Sequence, residues 1–259
     1  MKLLEEIEKY GNDIFVLAHK LTEMVPQHKH IQGHILVVQN GVATMNVEHN
    51  AYYIPNGYFV WIPSGVFHRI SFGGKSIDLL NIYYPSDMPM GEFYNEVSMH
   101  PIPSILYHIV EQINTKTRCY HQDDWQYEML VTLNHILPNI INKQKYQLRL
   151  PTSDHPIINR IITIIQERYQ SDLTAQDTAR AAGLSVRSMS RHLRNELNTS
   201  FVQYLRTFRI IMAIHKIVEE EENMSSIAYA VGYDSLTAFS NSFYKVTGIR
   251  PSHFLDNNN

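Results

Sequence analysis

The heptapeptide ARAAGLS at residues 179–185 and the heptapeptide AYAVGYD at residues 228–234 decide the fold of the C-terminal part of this chain. Each is built mainly from small residues and carries a glycine at its fifth position, and the second copy begins 49 residues after the first. Small side chains let a second helix cross closely, and glycine readily adopts the left-handed conformation that ends a helix. The repeat therefore predicts two helix-turn-helix units in tandem.

A second helix follows each turn, and its side chains sort into an apolar and a polar face. Ser185 and Ser235 stand where a helix N-cap is expected. In the first helix the apolar stripe consists of Val186, Met189, Leu193 and Leu197, and the opposite stripe of Arg187, Ser190, Arg191 and Arg194. In the second helix the inward residues are Phe239, Phe243 and Val246, and the outward ones are Thr237, Ser240, Asn241 and Tyr244. Exposed arginine and asparagine at such positions suit the reading of base edges in a major groove.

Charge supports DNA binding locally but not globally. Between Arg180 and Lys216 there are seven basic residues and one acidic residue, Glu196. The whole chain carries a formal charge of −3, which excludes a polycationic nucleic-acid coat and disfavours non-specific chromosome binding. An arginine stripe on a single helix is commonly a solvated face. Two such units in tandem favour a surface that reads DNA.

The span from residue 172 to residue 254 resembles the DNA-binding domain of AraC/XylS-type transcription regulators. The motifs that carry the resemblance are Ala179-x3-Gly183-Leu-Ser185, Phe201-x2-Tyr204-Leu205-x3-Arg209, Ile227-Ala228-x3-Gly232-Tyr233, Ala238-Phe239-Ser240-x2-Phe243 and Gly248-x2-Pro251-x2-Phe254. The resemblance implies an all-helical domain in which residues 201–219 join the two units. It also implies base contacts by Arg187, Ser190, Arg191, Leu236, Thr237 and Asn241, and the exposed stripe adds Arg194.

Three positions depart from the family pattern. Asn198 stands where the family usually has glycine, Asn241 where it usually has arginine, and Arg250 where it usually has serine. Asparagine at position 241 shifts the expected base preference from guanine toward adenine. The departures change the expected operator sequence and leave the expectation of DNA binding intact.

The N-terminal half has a different pattern. From about Asp13 to Tyr84, runs of β-branched and aromatic residues alternate with Gly, Pro and Asn turn signals, which predicts a small antiparallel barrel. After Pro103 the apolar spacing becomes helical and predicts an amphipathic pair at residues 103–115 and 123–141, with Pro138 ending or kinking the second helix. Residues 143–156 have the composition of an interdomain linker.

Four histidines of this half are candidates for a binding site. His28 and His30 project from one face of a strand because they are two residues apart, and His34 has the same parity. His68 follows a Pro-Ser-Gly turn into another strand. Imidazoles that converge in a barrel mouth suit a divalent transition metal such as nickel, zinc, iron or copper.

The same positions resemble the two cupin motifs. His28-x-His30-x3-His34-x6-Gly41 is similar to the first motif, and Gly57-x5-Pro63-x-Gly65-x2-His68 is similar to the second. His34 stands where the family usually has glutamate, or glutamine in cupin-fused regulators. Three alternatives remain open at this point: a bound metal, an organic effector without metal, and histidines that only bond to one another and to tyrosines.

Further features bear on location and assembly. The single cysteine excludes an internal disulfide framework. The acidic N-terminus has no export signal and no apolar run is long enough for a bilayer, so we expect a cytoplasmic protein without a membrane partner. In related regulators the helical pair dimerises the sensor domain, and a homodimer is expected here, although the pair could equally just cover the barrel.

These observations together predict an α+β chain: a cupin-like sensor domain at 1–98, a helical pair with linker at 99–152, and a tandem helix-turn-helix domain at 153–259. The predicted function is a sequence-specific transcription regulator that senses a metal ion or small molecule. Its partners are a double-stranded DNA operator and, by family resemblance, RNA polymerase. The alternative is a metal-dependent cupin dioxygenase or isomerase fused to a DNA-binding module. We predict no catalytic residues and no enzyme, because neither motif contains an acid/base carboxylate.

Overall fold

The computed structural model of the chain describes residues 7, 9, 12–72, 75–88, 91–113, 117–141, 148–219 and 223–256. The chain divides into two compact units, the first comprising Met1–Glu48 with Ile54–Lys145 and the second comprising His49–Tyr53 with Tyr146–Asn259. Antiparallel strands and a helical pair come first, and an all-helical domain with two helix-turn-helix units follows. The predicted α+β fold class is therefore confirmed.

The strands are β1 (Ile14–Leu21), β2 (Val25–His28), β3 (His34–Asn40), β4 (Val42–Val47), β5 (Asn50–Pro55), β6 (Tyr58–Ile62), β7 (His68–Phe72), β8 (Ile77–Tyr83), β9 (Ser98–Pro101), β10 (Arg118–Tyr120) and β11 (Arg149–Pro151). A six-stranded sheet in the first unit has the order β10-β1-β8-β3-β6-β9. In the other sheet, β7 lies between β4 and β2. The registered pairs are antiparallel, as the alternating pattern predicts.

One face of the six-stranded sheet packs against the helices α1 (Ser104–Ile113) and α2 (Trp125–Ile140). On β1, β3, β6 and β8, side chains two apart belong to this core, as Ile35 and Val37 do on β3. The helices contribute residues three or four apart, among them Leu130, Leu133 and Leu137, all fully buried. Burying each such side chain stabilises the folded state by about 1.5–3 kcal/mol. The predicted helical pair is present, with described ends one or two residues from the expected ones, and residues 114–115 of the expected first helix lie outside the described residues.

Helix α2 does not end at Pro138, contrary to one of the two expected outcomes. Proline has no N–H to donate to the carbonyl of Asn134, four residues earlier. The hydroxyl of Tyr94 donates a hydrogen bond to that carbonyl instead. Because the acceptor is satisfied by this side chain, the helix continues to Ile140.

The second unit contains the strand pair β5–β11, in which Leu150 pairs with Ala51. The expectation of a linker over 143–156 is therefore wrong for residues 149–151, which form a strand. Residues 143–147 of that span lie outside the described part of the chain. The sequence signal was misleading because the two prolines, Pro151 and Pro156, stand at the end of the strand and at the start of the next helix.

The helices of the second unit are α3 (Pro156–Arg168), α4 (Ala175–Ala181), α5 (Val186–Leu197), α6 (Phe201–Glu219), α7 (Met224–Ala230), α8 (Leu236–Thr247) and α9 (Pro251–Asp256). As predicted, the Ser185 and Ser235 side chains cap α5 and α8 by accepting from the N–H groups of Ser188 and Ala238. The residue after α5, Asn198, has a left-handed φ of 48°, as does Gly248 after α8 at 78°. None of the described helices is both long and apolar enough to cross a membrane.

The inward stripes of α5 and α8 are buried with one exception. Val186 is 38% exposed, so the expectation that it belongs to the core is wrong. It occupies the first position of α5, where only one side of the residue is covered by the following turn. The other predicted core residues of both helices are buried: Met189, Leu193, Leu197, Phe239, Phe243 and Val246.

Arg209 on α6 connects the segment that follows α3 to the turn of the second helix-turn-helix unit. Its Nε donates to the carbonyl of Tyr169 at 2.8 Å, its Nη2 donates to the carbonyl of Ser171 at 2.7 Å, and its guanidinium lies 5.6 Å from the Tyr233 ring centroid. A Cβ at Gly232 would lie 2.7 Å from the Tyr169 carbonyl oxygen and 2.8 Å from Nη2. Glycine is therefore required at 232 for space as well as for its φ of +89°.

We predict that Gly232→Ala costs about 2–5 kcal/mol of unfolding free energy, the sum of a left-handed backbone and an overpacked contact. The matched control is Gly183→Ala, because Gly183 also has a positive φ of +74° but open space around the added Cβ. Its cost should be only about 1–2 kcal/mol. Urea unfolding of both variants measures the difference, and equal costs would contradict the contact with Arg209.

Candidate functional site

A cluster of histidines lies where three strands begin or end. His28 ends β2, His68 begins β7 and pairs with it, and His30 follows in the loop toward β3. One ring nitrogen from each of these three side chains lies within 4.8 Å of the other two. His30 and His68 are buried and His28 is half-buried. The structure thus brings together three of the four predicted histidines with the spacing of a metal-ligand set.

Backbone carbonyls fix the orientation of these three rings. Each Nδ1 lies 2.7–2.9 Å from the carbonyl oxygen of a residue two positions away, the pairs being His28–Pro26, His30–Gln32 and His68–Val66. A ring whose Nδ1–H donates to a carbonyl keeps a free lone pair on Nε2, which is the form that binds metals. The buried Nε2 of His30 has no protein partner. The bonded Nδ1 atoms and the unpartnered Nε2 of His30 therefore fit a bound metal ion or a ligand that donates a hydrogen bond.

Burial keeps these imidazoles neutral. Desolvation is the main cause that lowers the pKa of His30 to about 4 and that of His68 to about 3, and the neighbouring histidines lower both further. The pKa of His28 is also lowered, mainly by burial. Only neutral imidazole can act as a metal ligand, so protons compete weakly for this site near neutral pH.

His34, the fourth predicted histidine, lies beside the three others. Its ring centroid is 4.7 Å from that of His30 and 5.6 Å from that of His68. The ring stacks on Tyr83 at 4.7 Å and 23°, and its buried Nδ1 has no hydrogen-bond partner. The set of His28, His30 and His68 does not need His34, whose role as a ligand stays a prediction. Tyr83 was not expected at the site, since its sequence context gives no sign of it.

Two exposed apolar residues are sequence neighbours of cluster histidines. Ile31 follows His30 and is 51% exposed, and Phe67 precedes His68 and is 50% exposed. The Lys29 ammonium lies 4.6 Å from the Phe67 ring centroid. Sequence reasoning missed these residues, although their position next to two candidate ligands is a signal that could have identified them.

The predicted DNA-reading side chains lie on the surfaces of α5 and α8. Arg187, Ser190, Arg191 and Arg194 are exposed on α5, and Leu236, Thr237 and Asn241 are exposed on α8. Each helix also has a serine-capped N-terminus, whose free backbone N–H groups favour phosphate oxygens. Each helix alone therefore offers a face that could enter a major groove.

Arg250 modifies the second of these faces. Its Nη1 donates to Oδ1 of Asn241 at 3.2 Å and to Oγ of Ser240 at 3.3 Å, and its guanidinium lies 5.0 Å from the Tyr244 ring centroid. Bidentate readout of adenine needs both the oxygen and the NH₂ group of asparagine. The bond from Arg250 occupies one of the two lone pairs of this oxygen and orients the amide, so the adenine preference does not follow from Asn241 alone. Sequence reasoning noted Arg250 as a departure but gave it no function.

Comparisons with known proteins match both halves. Residues 15–92 match the family described as AraC-like ligand binding domain, and residues 178–257 match a family described as helix-turn-helix domain. The transcriptional regulator NimR of Escherichia coli (strain K12) is 25% identical over 230 residues, which cover 89% of this chain and 82% of NimR. The regulator AdiY of the same organism is 26% identical over 115 residues, which cover 44% of this chain and 43% of AdiY.

A further sequence relative and a solved structure are also similar to the chain. The uncharacterized regulator YtdP of Bacillus subtilis (strain 168) is 30% identical over 98 residues, 38% of this chain but 13% of YtdP. Among solved structures, a variant of apo ToxT from Vibrio cholerae strain SCE256 aligns over 95% of this chain and 98% of its own, with 15% identity and a TM-score of 0.40. The chain thus spans most of NimR and less than half of AdiY and YtdP.

The histidine cluster predicts a loss of stability in acid when metal is removed with a chelator. In the unfolded chain these imidazoles titrate near 6.5, whereas in the folded chain His30 and His68 titrate near 4 and 3. The unfolded state therefore binds more protons than the folded state below pH 6.5. The contribution of His30 and His68 to the free energy of unfolding falls as the pH decreases from there. His68→Gln should show a smaller loss between pH 7 and pH 5 in urea unfolding. The same pH dependence in the wild type and in His68→Gln would refute the claim that His68 is buried as the neutral imidazole.

Proposed function

Because this chain belongs to the AraC-type transcription regulators, with an N-terminal ligand-binding domain and a C-terminal helix-turn-helix domain, we propose how its two halves divide the work. The histidine cluster is the sensor site, and the exposed faces of α5 and α8 read operator DNA. The observation that carries the proposal is the set of three converging imidazoles whose Nδ1 atoms bond to backbone carbonyls, one of which, His30, has an unpartnered buried Nε2.

A divalent transition metal of the nickel, zinc, iron or copper group is the proposed occupant of the sensor site. His28, His30 and His68 would hold the ion through Nε2, and His34 is a candidate fourth ligand. When bound, the ion supplies a Lewis-acidic centre with room for a further donor atom. An all-imidazole set carries no negative charge, because His34 replaces the family's usual carboxylate. Such a site suits a borderline ion and disfavours calcium and magnesium, which choose oxygen ligands.

A small organic effector is the second candidate for the same site. The observation that favours it is the pair of exposed apolar side chains, Ile31 and Phe67, next to two of the histidines. Small-molecule sites combine apolar side chains with a few polar groups. The two candidates are compatible, since an effector with a donor atom could complete the coordination of a bound ion.

The proposed base contacts lie on the exposed faces of α5 and α8. Arg187 and Arg191 are the proposed base contacts of α5, with Ser190 and Arg194 beside them, and Thr237, Asn241 and Leu236 are those of α8.

We propose a homodimer formed through α1 and α2, where Ile105, Tyr107 and Trp125 are exposed apolar residues. Contact with RNA polymerase and action in the cytoplasm, where a bacterial chromosome lies, follow from the proposed role. The relatives named above are transcription regulators, which favours regulation over a metal-dependent enzyme.

Substitution of the arginines on α5 tests the DNA-reading proposal. Arg187→Ala and Arg191→Ala should each weaken binding to the operator by about 1–3 kcal/mol and relax base preference at one position. The operator can be selected from random duplexes with the full-length protein. Arg168→Ala on α3 is the matched control, because Arg168 is exposed but outside the proposed face. Equal effects of all three variants would reject the assignment.

Metal analysis of protein purified without an affinity tag tests the sensor proposal. We expect the wild type to hold about one more ion per chain than His30→Ala/His68→Ala, and a changed operator affinity when that ion is removed from the wild type. His49→Ala is the control, because His49 is exposed and outside the cluster. Circular dichroism establishes that each variant is folded. Unchanged metal content in the folded double variant would exclude the histidine site.

A further inference from the structure

We propose that Asp13, Cys119 and His121 form a second metal site, which takes one zinc-like divalent cation. One ligand atom from each of these side chains lies within 4.8 Å of the other two. None of the three belongs to the histidine cluster or to the DNA-reading faces. The inference goes beyond the regulator function and does not depend on it.

The pairing of β1 with β10 brings these three residues to one face of the sheet. Phe15 pairs with Cys119 and Ile14 pairs with Tyr120, so the same register continued by one residue sets Asp13 opposite His121. Because side chains alternate along a strand, Cys119 and His121 share a face, and Asp13 lies on the corresponding face of β1. Oδ1 of Asp13 is 3.0 Å from Nδ1 of His121, as this placement requires. A carboxylate, a thiol and an imidazole thus converge through backbone topology.

A short turn fixes His121 before any ligand is bound. Its backbone N–H donates to Oδ2 of Asp124 at 2.9 Å, and the N–H of Asp124 donates to the His121 carbonyl at 2.9 Å. Asp124 is the residue before α2, and its Oδ1 lies 3.9 Å from a guanidinium nitrogen of Arg118. Such reciprocal bonds restrict the backbone of a ligand residue and lower the entropy lost on binding.

The local charge favours a cation over a free thiolate. Burial, followed by the negative charges of Asp13 and Asp124, raises the pKa of Cys119 to about 12. Without metal the sulfur therefore keeps its proton at neutral pH. When a divalent cation binds, the S–H bond breaks, a metal–sulfur bond forms and the proton leaves to solvent. The cation also neutralises the carboxylates that oppose the thiolate.

The donor set selects the class of ion. One sulfur, one imidazole nitrogen and one carboxylate oxygen suit zinc or cobalt and do not suit calcium or magnesium. His121 is 63% exposed and Asp13 is 26% exposed, so water can reach the fourth position of a tetrahedral ion. The occupied site would link β1, β10 and the turn into α2 through one metal centre.

Cobalt(II) provides a selective probe, because the chain has a single cysteine. A thiolate–cobalt charge-transfer band can arise only when Cys119 is a ligand, whereas histidine ligands give none. We therefore expect titration of the full-length chain with Co²⁺ to produce this band with an intensity of one thiolate-bound ion per chain, and Zn²⁺ to abolish it by displacement. The band should persist in His30→Ala/His68→Ala, so failure of the sensor proposal leaves this test unaffected.

Single substitutions test whether all three side chains act together. Cys119→Ser should abolish the band, and Asp13→Asn and His121→Ala should each weaken Co²⁺ binding by at least about tenfold. Lys20→Ala, an exposed position on β1, is the control and should leave the affinity unchanged. As a second readout, Zn²⁺ should slow alkylation of Cys119 in the wild type and not in His121→Ala.

Three results would overturn the proposal. One is the absence of a charge-transfer band in folded wild-type protein at Co²⁺ concentrations that saturate the histidine cluster. Another is a band of equal affinity in wild type, Asp13→Asn and His121→Ala, which would mean that the thiol binds cobalt alone. A band whose intensity per chain rises with protein concentration would likewise reject it, because the ligands would then come from two molecules.

Discussion

One row of side chains across the six-stranded sheet determines how the first unit is organised. Antiparallel register aligns Cys119, Phe15, Tyr83 and His34 on four neighbouring strands. Phe15 stacks with Tyr83 at 6.1 Å, and Tyr83 stacks with His34 at 4.7 Å. The next residues along these strands point to the opposite face, where they form the core with the helices. Since a register shift by one residue would exchange the two faces, helix packing and site geometry are fixed together.

Strong periodic signals made the fold predictable from the sequence. The repeat around Gly183 and Gly232, the serine caps and the helical pair are all local patterns, and the structure has them where the sequence indicates. The sequence-based expectations for Pro138 and for residues 149–151 failed because the local structure there depends on a partner distant in sequence. Helix α2 continues past Pro138 because Tyr94 satisfies a carbonyl, and residues 149–151 form a strand because β5 pairs with them.

The candidate sites were predictable to a smaller extent, for the same reason. The motif spacing identified His28, His30 and His68 as neighbours, because two strands and a turn carry them. Spacing could not reveal that backbone carbonyls fix their tautomers, nor that Tyr83 stacks beside them. It also gave no indication of the Asp13, Cys119 and His121 group, whose members are brought together across about a hundred residues of sequence by strand pairing. The base contacts remain predictions that rest on exposure and family resemblance.

If Asn241 contacts a base as proposed, its hydrogen bond with Arg250 makes the choice of base at this position a property of two residues. A recognition code that assigns one base to one amino acid would misjudge the operators of any homologue that keeps one of these residues and changes the other. Mutational drift at position 250 could retarget such a protein while its recognition helix stays identical. Epistasis of this kind means that paralogues with the same α8 sequence can control different genes.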